Sequence, residues 1–329
     1  MFIEGNIKYT VTDAKSKTVA ASGCVNGTPQ WGLLTLPATV KHDGETFAVT
    51  SVADRAFVNC VGLKGLAFPD SVARLGRNSF SYCTSLVDVI IPRNVKVIES
   101  GCFAHCSNLA RVSLPEGLET IDDEAFADCG NLATVKLPST LKTIRANAFA
   151  HCRTLKKATL PSGLQKIETQ AFFDCDIDEV RIPASVSHIG CMAFSLCRRL
   201  KEYVVEDGNA KFISKDGVLF NNTAKILISY PCGRGGQYVV PDGVKIVGSA
   251  AFCYCKGVET IDIPASVNYI SERAFTSSTI FRIINRNPKP QYLGVKAIKS
   301  LPVDAVMKVP AGSLEAYQET GWKYLTLKS

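Results

Sequence analysis

The stretch LATVKLPSTLKTIRANAFAHC, Leu132–Cys152, contains all the features that decide the fold. Val135 and Leu137 alternate with polar residues, as in a strand that is buried on one face only. Pro138 follows at once and ends that strand, because proline has no N–H to donate to a neighbouring strand. The stretch therefore opens with a short, half-buried strand.

The rest of the same stretch predicts two further elements. Leu141 and Ile144 form a second short segment with an inward-facing side. Ala148, Phe149 and Cys152 then follow at helical spacing, which predicts a short helical turn. Strand, second segment and turn together describe one coil that returns to its starting point.

This pattern repeats along the chain with a period of 23 residues. Phenylalanine recurs at that interval or one residue less up to Phe194 and, after an interruption, again from Phe252 to Phe275. Cysteine follows three residues later in every unit except the last, which has Ser278. A fixed period of this length indicates a solenoid, in which each coil packs only on its neighbours. The phenylalanines are Phe57, Phe80, Phe103, Phe126, Phe149, Phe172, Phe194, Phe252 and Phe275.

The repeat resembles the BspA-type leucine-rich repeat, with the motif L-x-x-V-x-L-P-x-x-L-x-x-I-x-x-x-A-F-x-x-C, over roughly residues 31–283. We therefore expect an α/β fold, a right-handed leucine-rich-repeat solenoid of about ten coils in a single domain. The expected divisions are an N-terminal β cap (1–30), repeats (31–203), a hairpin insertion (204–240), further repeats (241–284) and a C-terminal cap (285–329).

Composition and charge exclude several classes of function. The net charge of +7 is spread along 329 residues without a block of Lys or Arg, so nucleic acid is not an expected partner. The apolar runs are far shorter than the 18 residues of a membrane span. The N-terminal stretch lacks the apolar core of a signal peptide, so any leader is absent from this chain.

The thirteen cysteines lie at regular spacings, unlike a disulfide framework. We interpret the column that follows the phenylalanines as small buried thiols that pack as apolar groups. Neither C-x-x-C pairs nor a set of histidines indicates a metal site. We recognise no nucleophile motif and no phosphate-binding loop, so neither an enzyme nor a cofactor is expected.

Two columns of side chains on the exposed side of the strand layer vary freely between coils. Such variation is expected of any solvent-exposed position, but repeat arrays also use this concave face for binding. We predict that its central part binds an acidic protein or glycan surface. The candidate residues are Asp88, Arg111, Lys136, Lys157, Glu179 and Arg181.

A second, weaker candidate is the residue that precedes each cysteine of the column. Four consecutive coils place His105, Asp128, His151 and Asp174 there. Neighbouring imidazoles and carboxylates would form a ladder that responds to pH. The alternative is a solvent-exposed edge whose ion pairs contribute little.

The resemblance implies a non-catalytic binding module at the surface of a bacterial cell, or secreted, that mediates adhesion or protein–protein interaction. The alternative is an intracellular interaction scaffold, which the unpaired thiols favour because cysteines stay reduced in the cytosol. Carbohydrate binding is a weaker third possibility, because few aromatic residues project from the strand face. The sequence identifies neither the partner nor the oligomeric state.

Overall fold

The structure, a computed structural model, describes residues 1–25 and 32–329. The predicted boundary between N-terminal cap and repeats, at residues 30 and 31, lies outside the described residues. The described chain forms two compact units, Met1–Asp176 with His188–Ala193, and Ile177–Ser187 with Phe194–Ser329. Both consist of β-strands joined by turns, with about twelve solenoid turns in all, close to the predicted ten.

The first unit contains short strands, which are numbered in chain order. They are β1 (Phe2–Glu4), β2 (Ile7–Asp13), β3 (Thr18–Cys24), β4 (Leu33–Thr35), β5 (Thr39–His42), β6 (Glu45–Val52), β7 (Gly65–Ala67), β8 (Arg74–Leu75), β9 (Asp88–Ile90), β10 (Val97–Ile98), β11 (Arg111–Ser113), β12 (Thr120–Ile121), β13 (Thr134–Lys136), β14 (Thr143–Ile144), β15 (Lys157–Thr159), β16 (Lys166–Ile167) and β18 (His188–Ile189).

The second unit contains the remaining described strands and the described helices. They are β17 (Glu179–Ile182), β19 (Glu202–Val205), β20 (Phe212–Lys215), β21 (Val218–Asn221), β22 (Ile226–Ser229), β23 (Gly236–Val239), β24 (Ile246–Val247), β25 (Val258–Ile263), β26 (Tyr269–Ile270), β27 (Arg282–Asn285), β28 (Tyr292–Leu293), β29 (Val306–Lys308), α1 (Leu314–Gln318), a 3-10 helix (Gly321–Tyr324) and β30 (Thr326–Lys328).

Each coil of the first unit contributes one strand to each of two layers. The front layer is built from β4, β7, β9 and β11, which form one parallel sheet, and from β13 and β15, which form another. The back layer runs from β6 through β8, β10, β12, β14 and β16 to β18, with the N-terminal strands β1–β3 continuing it. The two strand segments of the sequence motif are therefore confirmed as two separate layers.

The phenylalanines fill the space between these layers. Phe57, Phe80, Phe103, Phe126, Phe149 and Phe172 are each fully buried. Consecutive rings stack with centroids 5.3–5.5 Å apart and with 6–8° between their planes. Burial of each ring stabilises the fold by about 1.5–3 kcal/mol, so the 23-residue period of the sequence becomes a continuous aromatic column.

The segment around each Phe-x-x-Cys, for which the spacing predicted a short helical turn, consists of consecutive turns and contains no regular helix. Two residues of each such segment have left-handed backbone angles; in one coil they are Gly101 (φ 63°) and His105 (φ 61°). An α-helix needs φ near −63°, so these residues interrupt it. The N–H groups instead donate to the next coil, for example from Phe103 to the oxygen of Ala125 at 2.9 Å.

The second unit keeps the two layers and adds an antiparallel hairpin. β20 and β21 pair from Phe212↔Asn221 to Lys215↔Val218. β21 then pairs with β22, which joins the back layer beside β24. After the hairpin, Tyr230 stacks on Phe252 at 4.9 Å and occupies the phenylalanine position of a further coil. Part of the predicted insertion is therefore itself a divergent coil.

The C-terminal segment ends the second unit. β29 and β30 extend the front sheet beyond β27. Tyr317 of α1 and Trp322 of the 3-10 helix are fully buried against the core. Ser313 precedes α1, and its hydroxyl donates to the oxygen of Pro310 instead of capping the helix.

Candidate functional site

The outward side of the front strands of the first unit, called the front face below, carries four of the six residues of the first predicted site. Asp88 lies on β9, Arg111 on β11, Lys136 on β13 and Lys157 on β15, in the first unit. Glu179 and Arg181 lie on β17, in the second unit. The two groups are therefore described separately.

Arg111 is paired with its counterpart in the preceding coil. β9 and β11 are in register, so Arg111 lies directly beside Asp88. Its Nη2 donates to Asp88 Oδ2 at 2.7 Å, and its Nε lies 2.7 Å from Asp88 Oδ1 without a hydrogen bond to that atom. The two side chains form an ion pair with no net charge.

Lys136 and Lys157 are the unpaired cations of the front face in the first unit. Both are exposed. They lie on the two paired strands β13 and β15, where Lys136 faces Thr159 and Lys157 faces Thr134. Neither forms an ion pair with any residue in the described parts of the chain. Their positive charge is therefore available to a partner.

A groove of about 690 Å³ lies over β9, β11 and β13. Lys136 lines it together with Glu116, and Lys157 lies on the next strand, β15, outside the lining. The front sheet is interrupted here, because β11 and β13 share no ladder of hydrogen bonds. Val112 is partly exposed at the interruption, whereas its equivalents Val89 and Val135 are buried. Ile90, which is 72% exposed, also lines the groove, so its wall combines apolar side chains with charged ones.

On β17 the two predicted residues pair with each other. Arg181 Nη2 donates to Glu179 Oε1 at 3.1 Å, and both side chains are about half exposed. Exposed ion pairs of this kind stabilise the folded protein by at most about 1 kcal/mol. The structure describes no other ion pair for Arg181.

The second predicted site, the ladder of His105, Asp128, His151 and Asp174, forms two pairs. His105 Nδ1 lies 3.4 Å from Asp128 Oδ2, and His151 Nδ1 lies 3.0 Å from Asp174 Oδ2. Asp174 Oδ2 also accepts a bond from Arg153 Nε at 2.8 Å. The column is thus a set of neighbouring pairs, each within hydrogen-bonding or ion-pair distance.

Backbone conformation gives this column a structural explanation that the sequence did not reveal. All four residues have φ between 57° and 61°. Asn, Asp and His tolerate this left-handed region better than most residues. Tyr82, one coil earlier, shares this conformation, and its ring stacks on that of His105 at 4.2 Å. The turn therefore favours the residue types of the ladder but does not require them, since Leu196 also occupies an equivalent position with φ 63°.

The cysteine column is buried and hydrogen-bonded. Twelve of the thirteen cysteines are buried, and none forms a disulfide bond with a described residue. Thiols of the column donate to the carbonyl oxygen of a phenylalanine 26 residues earlier, as from Cys129 to Phe103 at 3.2 Å. Burial raises the pKa of the Cys102 thiol to about 12 and that of Cys129 well above its usual range. These thiols therefore resist ionisation.

In the second unit Cys232 continues the column between Cys197 and Cys255. Its Sγ lies 3.1 Å from that of Cys255. This position is hard to recognise from the sequence, because Pro231 interrupts the usual pattern and Cys232 follows Tyr230 by only two residues. The stacked Tyr230 ring marks the coil in the structure.

Within residues 1–25 and 32–329 no cluster of three or more His, Cys, Asp or Glu side chains could hold a metal ion. In the same part of the chain no helix has the length and hydropathy needed to cross a membrane.

Comparison with known proteins agrees with this architecture. The sequence profile described as BspA type leucine rich repeat region, with six copies, matches residues 46–156, 119–232 and 229–301. The chain belongs to this family. No curated protein matches the sequence.

Solved structures with the same fold come from several bacteria. A leucine rich cell surface protein from Faecalibacterium prausnitzii is 24% identical with a TM-score of 0.75, over 100% of this chain and 94% of that one. The pneumococcal vaccine antigen PcpA is 21% identical with a TM-score of 0.62, over 100% and 98%. A leucine-rich repeat protein from Eubacterium ventriosum is 18% identical with a TM-score of 0.57, over 94% and 71%. At these identities the likeness shows the shared leucine-rich-repeat fold.

Proposed function

We propose that this BspA-type chain is a non-catalytic protein-interaction module that binds an acidic partner at the front face of its first unit. The supporting observation is the pair of exposed lysines, Lys136 and Lys157, that lack an acidic partner beside the mixed groove over β9, β11 and β13. A charged rim next to exposed apolar surface is a common composition for a protein-binding surface.

Arg111 has a different role in this proposal from the two lysines. Because Asp88 already holds its guanidinium, Arg111 fixes one wall of the groove and adds little net charge. Lys136 and Lys157 supply the attraction, and Ile90 supplies apolar contact area. Glu179 and Arg181 form a pair of their own and are assigned no direct part in binding.

The site is tested by charge reversal with defined probes. Biolayer interferometry would measure binding of the full chain to immobilised polyglutamate and heparin, with polylysine as the basic control. We expect the acidic protein probe to bind, and Lys136→Glu with Lys157→Glu to weaken it about tenfold or more. The matched control reverses two exposed lysines of the back layer, Lys96→Glu with Lys166→Glu, and should leave affinity unchanged.

Two results would contradict the proposal. Equal losses in the front-face and back-layer variants would mean that only total charge matters. An affinity for polyglutamate that does not change in the front-face variant would remove this face from consideration. Binding to heparin alone would assign the face to an acidic glycan, contrary to the protein partner proposed here.

We also propose that the module acts at the surface of a bacterial cell. Support comes from the Faecalibacterium prausnitzii structure, which is described as a leucine rich cell surface protein. Protease treatment of intact source cells, followed by mass spectrometry, should release peptides of this chain before lysis. Peptides that appear only after lysis would favour the intracellular scaffold.

Most of the cysteines favour neither location, because burial separates them from oxidants in solution. Cys232 and Cys255 are the exception: their Sγ atoms lie 3.1 Å apart, and the hydrogen bond from Cys255 lowers the pKa of Cys232. Oxidising surroundings would favour a disulfide bond between these two residues, whereas the cytosol would keep both thiols reduced.

A further inference from the structure

The last coil of the second unit exposes hydrogen-bond donors that earlier coils use to hold their neighbours. In the coil before it, three N–H groups donate to carbonyl oxygens of the last coil: Arg273 to Val295 at 3.1 Å, Phe275 to Ala297 at 2.8 Å and Ser277 to Lys299 at 3.3 Å. The equivalent residues 23 positions later are Lys296, Ile298 and Ser300. None of their N–H groups donates to a described residue.

A groove of about 690 Å³ lies over these three residues. One wall is the last coil, with Leu293, Ile298 and Leu301. The other is the C-terminal 3-10 helix and the residue after it, with Tyr324 and Leu325. β28 is the last strand of the back sheet, so a neighbouring strand is missing on this side. This terminal groove thus occupies the position of a further coil.

The charged side chains that line the terminal groove are positive. Lys296 and Lys299 are the charged side chains among the described residues that line it. Both are exposed, and neither forms an ion pair with any residue in the described parts of the chain. Next to them, Val303 is fully exposed and Tyr324 is 79% exposed. Exposed apolar surface beside unpaired cations favours a ligand that is both apolar and acidic.

We propose that the terminal groove binds a short acidic peptide of a partner protein. The N–H groups of Lys296, Ile298 and Ser300 donate to backbone carbonyl groups of the peptide, as their equivalents in the preceding coil donate to the last coil. Acidic side chains pair with Lys296 and Lys299, and apolar side chains fill the groove against Leu293 and Leu301. A fatty acid has a single carboxylate, which provides too few acceptors for the three N–H groups and the two lysines of the groove.

This site is independent of the front face proposed above, because it lies in the other unit and uses different residues. Fluorescence anisotropy with the full chain would use a fluorescein-labelled octapeptide of alternating leucine and glutamate. Matched peptides would carry glutamine or lysine in place of glutamate. We expect the glutamate peptide to bind at least tenfold more tightly than the glutamine peptide, and the lysine peptide not to bind.

The decisive variant is Lys296→Glu with Lys299→Glu, which should weaken binding of the glutamate peptide at least tenfold. Lys211→Glu with Lys225→Glu reverses two exposed lysines elsewhere in the same unit and should leave it unchanged. Thermal unfolding by circular dichroism would show that both variants are folded.

An affinity within twofold of the original in the Lys296/Lys299 variant would overturn the proposal, as would equal binding of the lysine peptide. Complete displacement of the peptide by an equal concentration of sodium dodecanoate would also overturn it and assign the groove to amphiphiles.

Discussion

Removal of one ring from the middle of the aromatic column should destabilise the first unit strongly. Phe126 is fully buried, and its ring stacks on Phe103 at 5.5 Å and on Phe149 at 5.4 Å. Phe126→Ala removes the buried ring, leaves a cavity and breaks both ring contacts. Buried Phe→Ala changes cost about 3–5 kcal/mol. We expect the upper part of this range, because each aromatic pair adds about 0.5–1.5 kcal/mol to burial.

Phe57→Ala provides the matched comparison. Phe57 is equally buried but stacks on only one ring of the described column, that of Phe80 at 5.5 Å. Its loss should therefore cost about 1 kcal/mol less than the loss of Phe126. Urea unfolding followed by far-ultraviolet circular dichroism gives both free energies of unfolding, with Lys136→Ala as a surface control within about 0.5 kcal/mol of the parent.

Two results would contradict the stabilising role assigned to the stacked rings. If Phe126→Ala lowered the free energy of unfolding by less than about 2 kcal/mol, the aromatic column would contribute little to the stability of the core. Equal costs for Phe126→Ala and Phe57→Ala would mean that burial alone matters and that ring stacking between coils adds nothing.

Three further predictions concern the buried thiols and one buried carboxylate. Ellman's reagent should leave the twelve buried cysteines unmodified in the native protein and label them in urea; rapid labelling of several of them at pH 8 without urea would contradict their burial. Burial raises the pKa of thiols such as Cys102 to about 12, above the usual value of about 8.5 in the unfolded chain. The resulting stabilisation is complete below about pH 8.5 and is lost progressively as pH rises from that value through the folded pKa of about 12. The urea midpoint should thus fall between pH 8 and pH 10, and an unchanged or higher midpoint would refute this. Finally, Arg286→Ala should lower the urea midpoint, because the buried carboxylate of Asp262 loses donors at 2.7 and 2.6 Å. Adding Asp262→Asn should recover part of the loss, and a double variant less stable than Arg286→Ala would contradict this account.

The period of the sequence was sufficient to predict the two strand layers and the aromatic column. Each phenylalanine repeats at nearly the same interval, and a residue that recurs in this way in a solenoid meets its own equivalent in the next coil. For the same reason Arg111 and Asp88, 23 residues apart, come together on neighbouring strands. The pairing removes Arg111 from the cluster of free cations that the sequence analysis expected on the front face.

Other features depend on backbone geometry that a residue pattern does not encode. Val112 stands in the same place as Val89 and Val135, so the sequence contains no sign that the sheet is interrupted between β11 and β13. The turn segments place apolar residues three or four apart, as a helix does, and only the positive φ angles distinguish the two. The coil that contains Tyr230 was hidden by the change from Phe to Tyr and by Pro231.

The hydrogen bonds between coils run in both directions, which has an electrostatic consequence. Turn N–H groups donate to the following coil, as from Phe103 to Ala125, whereas Glu119 and Asp122 in the back layer donate to the preceding coil, to Lys96 and Ile98. In an α-helix all peptide dipoles point the same way and add up to partial charges at the two ends. Here they oppose one another, so stacking more coils builds up no comparable axial dipole. The backbone contribution to the potential at each end of a unit therefore comes from the terminal coil and does not grow with the number of coils.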